Sequence, residues 1–281
     1  MDFAGWGNYS RAGGARQQKV TLHPHAMICW EGAGKMPAFR SLMVDVLGKP
    51  AEELRAMLAA MGEPAYRGAQ IYHALYAERR FGFAAMNNLP ATLRARLARE
   101  ARIGLPGILK RFESVDGSTR YLLSLDTAAG AALAAPAGAS ASMKPRSASP
   151  AAIETVFMPE DDRQTICIST QAGCAVDCRF CLTATLGLIR NLAAGEIVGQ
   201  VLVALEDKCA RGGGLKPQTN VVLMGQGEPL LNYEAVMAAV RILLDANGAG
   251  LSPKHVTRST SGLVPGSERL AEEKVPPQVA F

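Results

Sequence analysis

The chain has 281 residues, 48% of them hydrophobic and 20% charged, which is enough apolar material for one large domain or two modest ones. Its net charge of +5 tolerates a polyanionic partner without demanding one, and a slightly basic soluble enzyme fits the same number. No apolar run reaches the roughly 18 residues of a bilayer-spanning helix, so no membrane partner is expected.

Residues 1–45 are Gly-rich and acid-poor, with Arg11, Arg16 and Lys19 and no sustained periodicity. They read as a disordered extension, with an organellar targeting segment as the alternative. Residues 46–110 read as a small helical domain. Pro50 and Ala51 open a first helix whose Leu54, Met57, Leu58 and Met61 share a face, and Gly62 closes it. A second helix runs from about Arg67 with Ile71 and Leu75 inward. A third follows Pro90, with Leu93 and Leu97 on one face and Arg94, Arg96, Arg99 and Arg102 on the others. Residues 67–111 carry nine Lys/Arg against two Glu, which suits either a solvated face or a phosphate-contacting surface.

Residues 111–161 read as a β-hairpin. Val115–Ser118 supplies the turn, Arg120–Leu125 a strand, and Ile153–Met158 a β-branched return. The stretch 127–152 between them is almost entirely Ala, Gly, Ser and Pro, and is expected to be a flexible surface insertion. From 162 to 281 strands alternate with helices: strands at Thr165–Ser169, Asn220–Met224 and His255–Ser259, helices at Ala194–Lys208 and Tyr233–Asp245. Successive βα units imply an α/β fold with a parallel sheet, and about three units are too few to close a barrel.

Six cysteines are present, three of them within eight residues, which points to metal ligands in a reducing, cytoplasmic compartment rather than to a disulfide framework. Cys174, Cys178 and Cys181 form a Cys-x3-Cys-x2-Cys triad. Three thiolates on one short loop can ligate three irons of a [4Fe–4S] cluster and leave the fourth open to a chelating substrate. Zinc is the competing reading, although a structural zinc site wants four closed ligands and no second cysteine pair exists here. Directly after a predicted strand stands Met224-Gly-Gln-Gly-Glu-Pro229. Its glycines allow a ligand close to the backbone, and Glu228 could accept bonds from an ammonium group; a plain strand-to-helix turn fits as well. Thr257–Gly262 ends the next strand with hydroxyls, which could line a ligand cleft or cap a turn.

Taken together, Ile153–Arg163, Thr165–Cys181, Arg190–Leu192, Gly195–Ile197, Met224–Asn232 and Ser259–Pro265 resemble the radical S-adenosylmethionine RNA adenine-C2 methyltransferases of RlmN/Cfr type. Gly62–Arg67 and Asn88–Pro90 resemble that family's N-terminal helical domain, and the likeness spans roughly 46–281 apart from the insertion.

The resemblance implies a partial radical-SAM (βα) barrel preceded by the helical domain and the hairpin. It also implies a [4Fe–4S] cluster, S-adenosylmethionine, an external flavodoxin-like electron donor, a monomer, and 23S ribosomal RNA and transfer RNA as substrates. One S-adenosylmethionine methylates a late cysteine, and the cluster cleaves a second to a radical. That radical activates the methyl group for addition to C2 of an adenine, and a second cysteine resolves the adduct through a disulfide. By motif position the resolving cysteine is Cys167 and the proton acceptor is Glu154, while Gly227, Glu228 and Ser259 match cofactor contacts. Without the resemblance, Cys167 reads as a buried strand cysteine and Glu154 as an exposed strand carboxylate. A branch methylating C8 shares these motifs. No cysteine follows Cys209, so the chain is expected to stop before barrel closure and to lack the methyl carrier; it reads as an incomplete enzyme of this family, inactive as it stands, with a non-catalytic remnant retaining cluster or RNA binding and a zinc-binding interaction module as the alternatives. Arg258 departs from the family's apolar strand pattern.

Overall fold

The computed structural model describes residues 43–125, 151–213, 216–274 and 277–280. Most of the expected N-terminal extension, with Cys29, and most of the expected 127–152 insertion lie outside them.

Strand β1 (Val44–Asp45) leads into α1 (Ala51–Ala60), α2 (Tyr66–Tyr76) and α3 (Ala91–Glu100), and β2 (Ala101–Arg102) returns parallel to β1. Extended Pro50 starts α1, Glu52 and Glu53 sit in its first turn, and Gly62 ends it at φ +77°. Leu54 and Leu58 are fully buried with Ile71, Leu75, Leu93 and Leu97, whereas Met57 and Met61 are only partly covered. Several arginines of this basic block spend their donors on the fold itself. Arg96 reaches Met61 O at 2.6 Å, Arg94 reaches Ala84 O at 2.6 Å, and Arg80 reaches Ala85 O at 2.6 Å.

The hairpin is a three-stranded antiparallel unit: β3 (Gly107–Glu113), β4 (Thr119–Ser124) and β5 (Ala152–Pro159). Its first strand begins inside the stretch read from sequence as helical. β6 (Arg163–Cys167) pairs antiparallel with β5. The chain then forms a small ribbon from β7 (Gln171–Gly173) and β8 (Leu188–Asn191), with the cysteines between them. α4 (Ala194–Ala210), β9 (Gln218–Leu223), α5 (Tyr233–Leu244), β10 (Val256–Ser259), α6 (Val264–Ala271) and β11 (Gln278–Ala280) follow. The order across the main sheet is β11-β10-β9-β6-β5-β4-β3, parallel from β11 to β6 and antiparallel beyond. The sheet is open, as the count of βα units led us to expect.

Among the described residues, one face of this sheet is packed by helices and the other is left partly exposed, the open face. Tyr121, Ile153, Ile166, Val221 and Val256 point to the packed face and are fully buried. α4 lies in this core and ties the two halves of the sheet. Near its end, Asp207 accepts bonds from Arg111 on β3 (3.0 Å) and from the Tyr121 hydroxyl on β4 (3.0 Å). Burial works against the Asp207 charge, but Arg111, Tyr121 and Arg211 outweigh it and hold the carboxyl below its usual range. At the other end of the helix, a Cβ on Gly48 would lie 2.2 Å from Gly195 N, so backbones touch where the N-terminal helices join the core.

Arg258 on β10 also points to the packed face. It is 1% exposed, and among the described residues none of its three guanidinium nitrogens has a hydrogen-bond partner. Burial pulls its pKa below the usual arginine value, against the opposing influence of Tyr233 and Glu228. A desolvated, unpaired charge is strongly unfavourable. Arg258→Val should therefore raise folding stability by about 2 kcal/mol, read as a higher midpoint in urea denaturation; a lower midpoint would show that the guanidinium contributes to the fold.

Candidate functional site

The site gathers at the sheet end where the parallel strands β6, β9 and β10 finish, the end at which α/β sheets hold their ligands. β5 runs antiparallel, so its first residues lie beside the last residues of β6. This brings Glu154 to the same end as Cys167.

The Gly225–Glu228 loop after β9 is zipped onto Ile168–Gln171. Gly225 N donates to Ile168 O (3.0 Å), Gln226 N to Ser169 Oγ (3.0 Å), and Thr170 N to Gln226 O (2.8 Å). Gly227 has φ +100°, and a Cβ there would lie 2.6 Å from Gln171 N. Both facts require glycine. The buried Gln171 side chain accepts from Glu228 N (3.0 Å) and donates to Asn191 Oδ1 on β8 (2.7 Å).

Glu228 is 4% exposed, and its carboxylate takes four donors from the fold. These are Leu230 N (3.0 Å), the Thr260 hydroxyl (2.8 Å), Ser261 N (2.8 Å) and the Ser261 hydroxyl (3.0 Å). Four bonds fill a carboxylate's accepting capacity. The residue therefore ties the loop after β9 to the loop after β10, and would meet a ligand ammonium by releasing one of these donors. Ser259 lies half-buried on the open face, its hydroxyl donating to Leu223 O at 3.3 Å.

The cysteine loop leaves the ribbon at a pinch. Gly173 has φ +75°, a Cβ there would meet Gly187 O at 1.8 Å, and Cys174 N donates to the same oxygen at 3.1 Å. Between Cys174 and Cys181 the loop is held by Val176 N to Cys174 Sγ at 3.4 Å and Cys181 N to Cys178 O at 3.0 Å, and a 3-10 turn over Leu182–Leu186 then closes it, with Ala184 N on Cys181 O and Gly187 N on Ala184 O, both at 3.1 Å. All three thiols are partly exposed, and Phe180 and Leu182 project outward. Burial pushes the Cys174 thiol up, the Val176 N–H works the other way, and Cys178, Glu228 and Cys181 push it up further. Among the described residues, no three Cys, His, Asp or Glu side chains converge as a group that could hold a metal ion.

Cys167 ends β6 on the open face, opposite Val156 on β5 and Val222 on β9. Burial raises its thiol pKa, and the Met224 N–H partly counters this. Glu154 is one strand away on the same face, ion-paired to Arg120 at 2.9 Å. Cys209 is exposed at the end of α4, 3.9 Å from an Arg79 nitrogen and apart from the cysteine loop.

Sequence reasoning missed the polar residues that carry this arrangement. Fully buried Gln200 on α4 accepts from Ser169 N (2.8 Å) and the Thr155 hydroxyl (2.8 Å), and donates to Ser169 O (2.9 Å) and Glu196 O (3.1 Å). Asn232 donates to Thr170 O and Leu192 O, both at 2.8 Å. Arg190 and Glu196 form a buried pair at 2.6 Å. The available signal was position: Gln200 interrupts the apolar face of a helix otherwise dominated by Ile, Val and Leu.

Two outcomes are expected. Gln200→Leu strands Ser169 and Thr155 without partners and should cost about 2–3 kcal/mol, seen as an earlier urea midpoint; an unchanged midpoint would mean the network is dispensable. The thiolate is the form that alkylates, and a raised pKa leaves Cys167 protonated up to higher pH than an ordinary thiol. Iodoacetamide should therefore label Cys209 first near neutral pH, and Cys167 only as the pH climbs well above the ordinary thiol range. Peptide mapping that found both labelled equally fast would contradict the environment described for Cys167.

Residues 44–103 match the family model of the ribosomal RNA large subunit methyltransferase N-terminal domain. The dual-specificity RNA methyltransferase RlmN of Alkalilimnicola ehrlichii is 39% identical over 230 residues, covering 82% of this chain and 57% of that protein. The crystal structure of a radical SAM methyltransferase from Sphaerobacter thermophilus is 38% identical with a TM-score of 0.70, covering 84% of this chain and 62% of that one. The chain thus spans less than two thirds of the length of either relative. These three matches together support the RlmN/Cfr family for this chain.

Proposed function

We propose that this chain carries the cofactor site of a radical S-adenosylmethionine RNA methyltransferase that acts on C2 of an adenine in 23S ribosomal RNA and transfer RNA. The observation that supports it most is the gathering of the cysteine loop, the Gly225–Glu228 loop, Ser259, Cys167 and Glu154 at one end of one sheet.

Cys174, Cys178 and Cys181 would hold the [4Fe–4S] cluster. The donor set suits it: three partly exposed thiols on one short loop could be drawn together by a metal cluster. Two buried polar atoms on the flanking loops, Thr170 Oγ1 and Gln226 Oε1, have no partner among the described residues and could meet a polar cofactor. Such a cluster would supply the one-electron reduction that activates S-adenosylmethionine, with the electron coming from a flavodoxin-like donor.

The chain's own groups do the rest. Gly227 keeps a side chain out of the loop, and Glu228 and Ser259 border the cofactor. Glu154 offers a carboxylate oxygen to take the proton lost from the adenine C2. Cys167 would form a disulfide with a methyl-carrying cysteine, which this sequence does not contain, as the bond from that sulfur to the RNA-linked carbon breaks. The electron pair of that bond stays on the carbon, which takes up the proton that the Cys167 thiol gives up. A cytoplasmic monomer suits these roles.

Anaerobic reconstitution with iron and sulfide tests this reading. About four irons and four sulfides per chain are expected, with 5′-deoxyadenosine formed from S-adenosylmethionine and dithionite, and about 100-fold less formed after Cys178→Ala. A chain that takes up only zinc, or a Cys178→Ala variant that makes as much 5′-deoxyadenosine as the unaltered chain, would sink it.

A further inference from the structure

The register of the sheet lays one row of residues straight across its open face. Phe112 on β3 opposes Arg120 on β4, Arg120 opposes Val156, Val156 opposes Cys167, and Cys167 opposes Val222. Strands are spaced about 4.8 Å apart, so Arg120 stands about 10 Å and Phe112 about 14 Å from Cys167 along this row. The next row contains Lys110, opposite Leu122, which is opposite Glu154.

Lys110, Phe112 and Arg120 act as one unit. The Arg120 guanidinium lies over the Phe112 ring, 4.5 Å from its centroid, and the Lys110 ammonium lies 4.7 Å from the same centroid. Arg120 is further fixed by Glu154 at 2.9 Å, yet 48% of its side chain remains exposed. Lys110 has no carboxylate partner among the described residues, so the trio carries an uncompensated positive charge even with Glu154 present. A guanidinium plane backed by a ring and held by a carboxylate presents its other face at little entropic cost. Such planes stack unpaired bases, and a neighbouring ammonium suits the phosphate that follows.

We propose that Lys110, Phe112 and Arg120 form a cationic stacking platform that holds an unpaired stretch of RNA on the open sheet face, placing the nucleotide next to the reacting one beside Cys167 and Glu154. The inference rests on the RNA methyltransferase reading and adds the surface where the substrate is gripped. The arginines of α3 that seemed suited to phosphates from sequence are partly committed to carbonyls, whereas this trio keeps an exposed cationic plane close to the site.

The test is fluorescence anisotropy of a labelled RNA stem-loop with an unpaired adenine, titrated with the full chain. Phe112→Leu and Arg120→Gln should each weaken binding about tenfold. Arg120→Lys, which keeps the charge and loses the plane, should weaken it nearly as much. Lys110→Gln should flatten the salt dependence by about 0.7 in the log–log slope. Lys254→Gln, the same charge change at the opposite end of the sheet, should bind as the unaltered chain does. Circular dichroism melts that overlay for all variants confirm that folding is not the cause. RNA binding by the unaltered chain with equal affinity for the Phe112 and Arg120 variants overturns the platform alone. Full binding by Arg120→Lys overturns the stacking role. An unaltered chain that binds no RNA brings down the functional reading itself, and that outcome is visible before any substitution is made.

Discussion

Gly227 approaches the backbone of Gln171 so closely that no side chain fits between them. Much of the site depends on that approach. It lets the loop after β9 exchange backbone hydrogen bonds with the segment after β6, and that segment runs directly into β7 and the cysteine loop. A larger residue would separate two loops that hold the cysteines and the Gly225–Glu228 turn in one place. Gln171, Gln200 and Asn232 then satisfy the backbone groups these irregular segments leave buried. The result is a well-tied frame around the cysteine loop, whose three thiols stay partly exposed.

The second dependence is the continuity of the sheet. The hairpin is not an appendage beside the α/β part; its strands are hydrogen-bonded into the same sheet, and one row of side chains runs from Phe112 to Gln278 without a break in register. α4 enforces this from the packed face, with Gln200 under the site and Asp207 under β3 and β4. A carboxylate on the hairpin is thereby held one strand from a thiol at the end of β6. Arg258 works against the same layer, a charged group between sheet and helices where its equivalents in the packed row are Leu and Val.

Much of the fold was legible because it is written locally. The apolar spacing of Leu54, Leu58, Ile71, Leu75, Leu93 and Leu97, the capping prolines and Gly62 mark three helices. Alternation and turn residues mark β4 and β5. β11, α6 and the β7–β8 ribbon were not legible. The strands are three or four residues long and exist only by pairing with partners elsewhere in the chain. α6 opens with Val264-Pro265-Gly266, where the proline is accommodated in the first turn of the helix and Gly266 packs against Leu230.

The sequence by itself determined which groups are on offer: three thiols at short spacing, a glycine-rich strand end, and a family resemblance from which the roles proposed for Cys167 and Glu154 are taken. Cysteine spacing and glycine placement are properties of a few adjacent residues, so they survive being read in one dimension. Only the tertiary structure decided what those groups face. Glu228 looks like a free strand-end carboxylate until Thr260 and Ser261, more than thirty residues away, fill its oxygens. Arg120 looks like any strand arginine until register sets it against Phe112, Glu154 and the row that leads to Cys167. Hydrogen-bond capacity and strand register are settled between distant segments, and no local pattern records them.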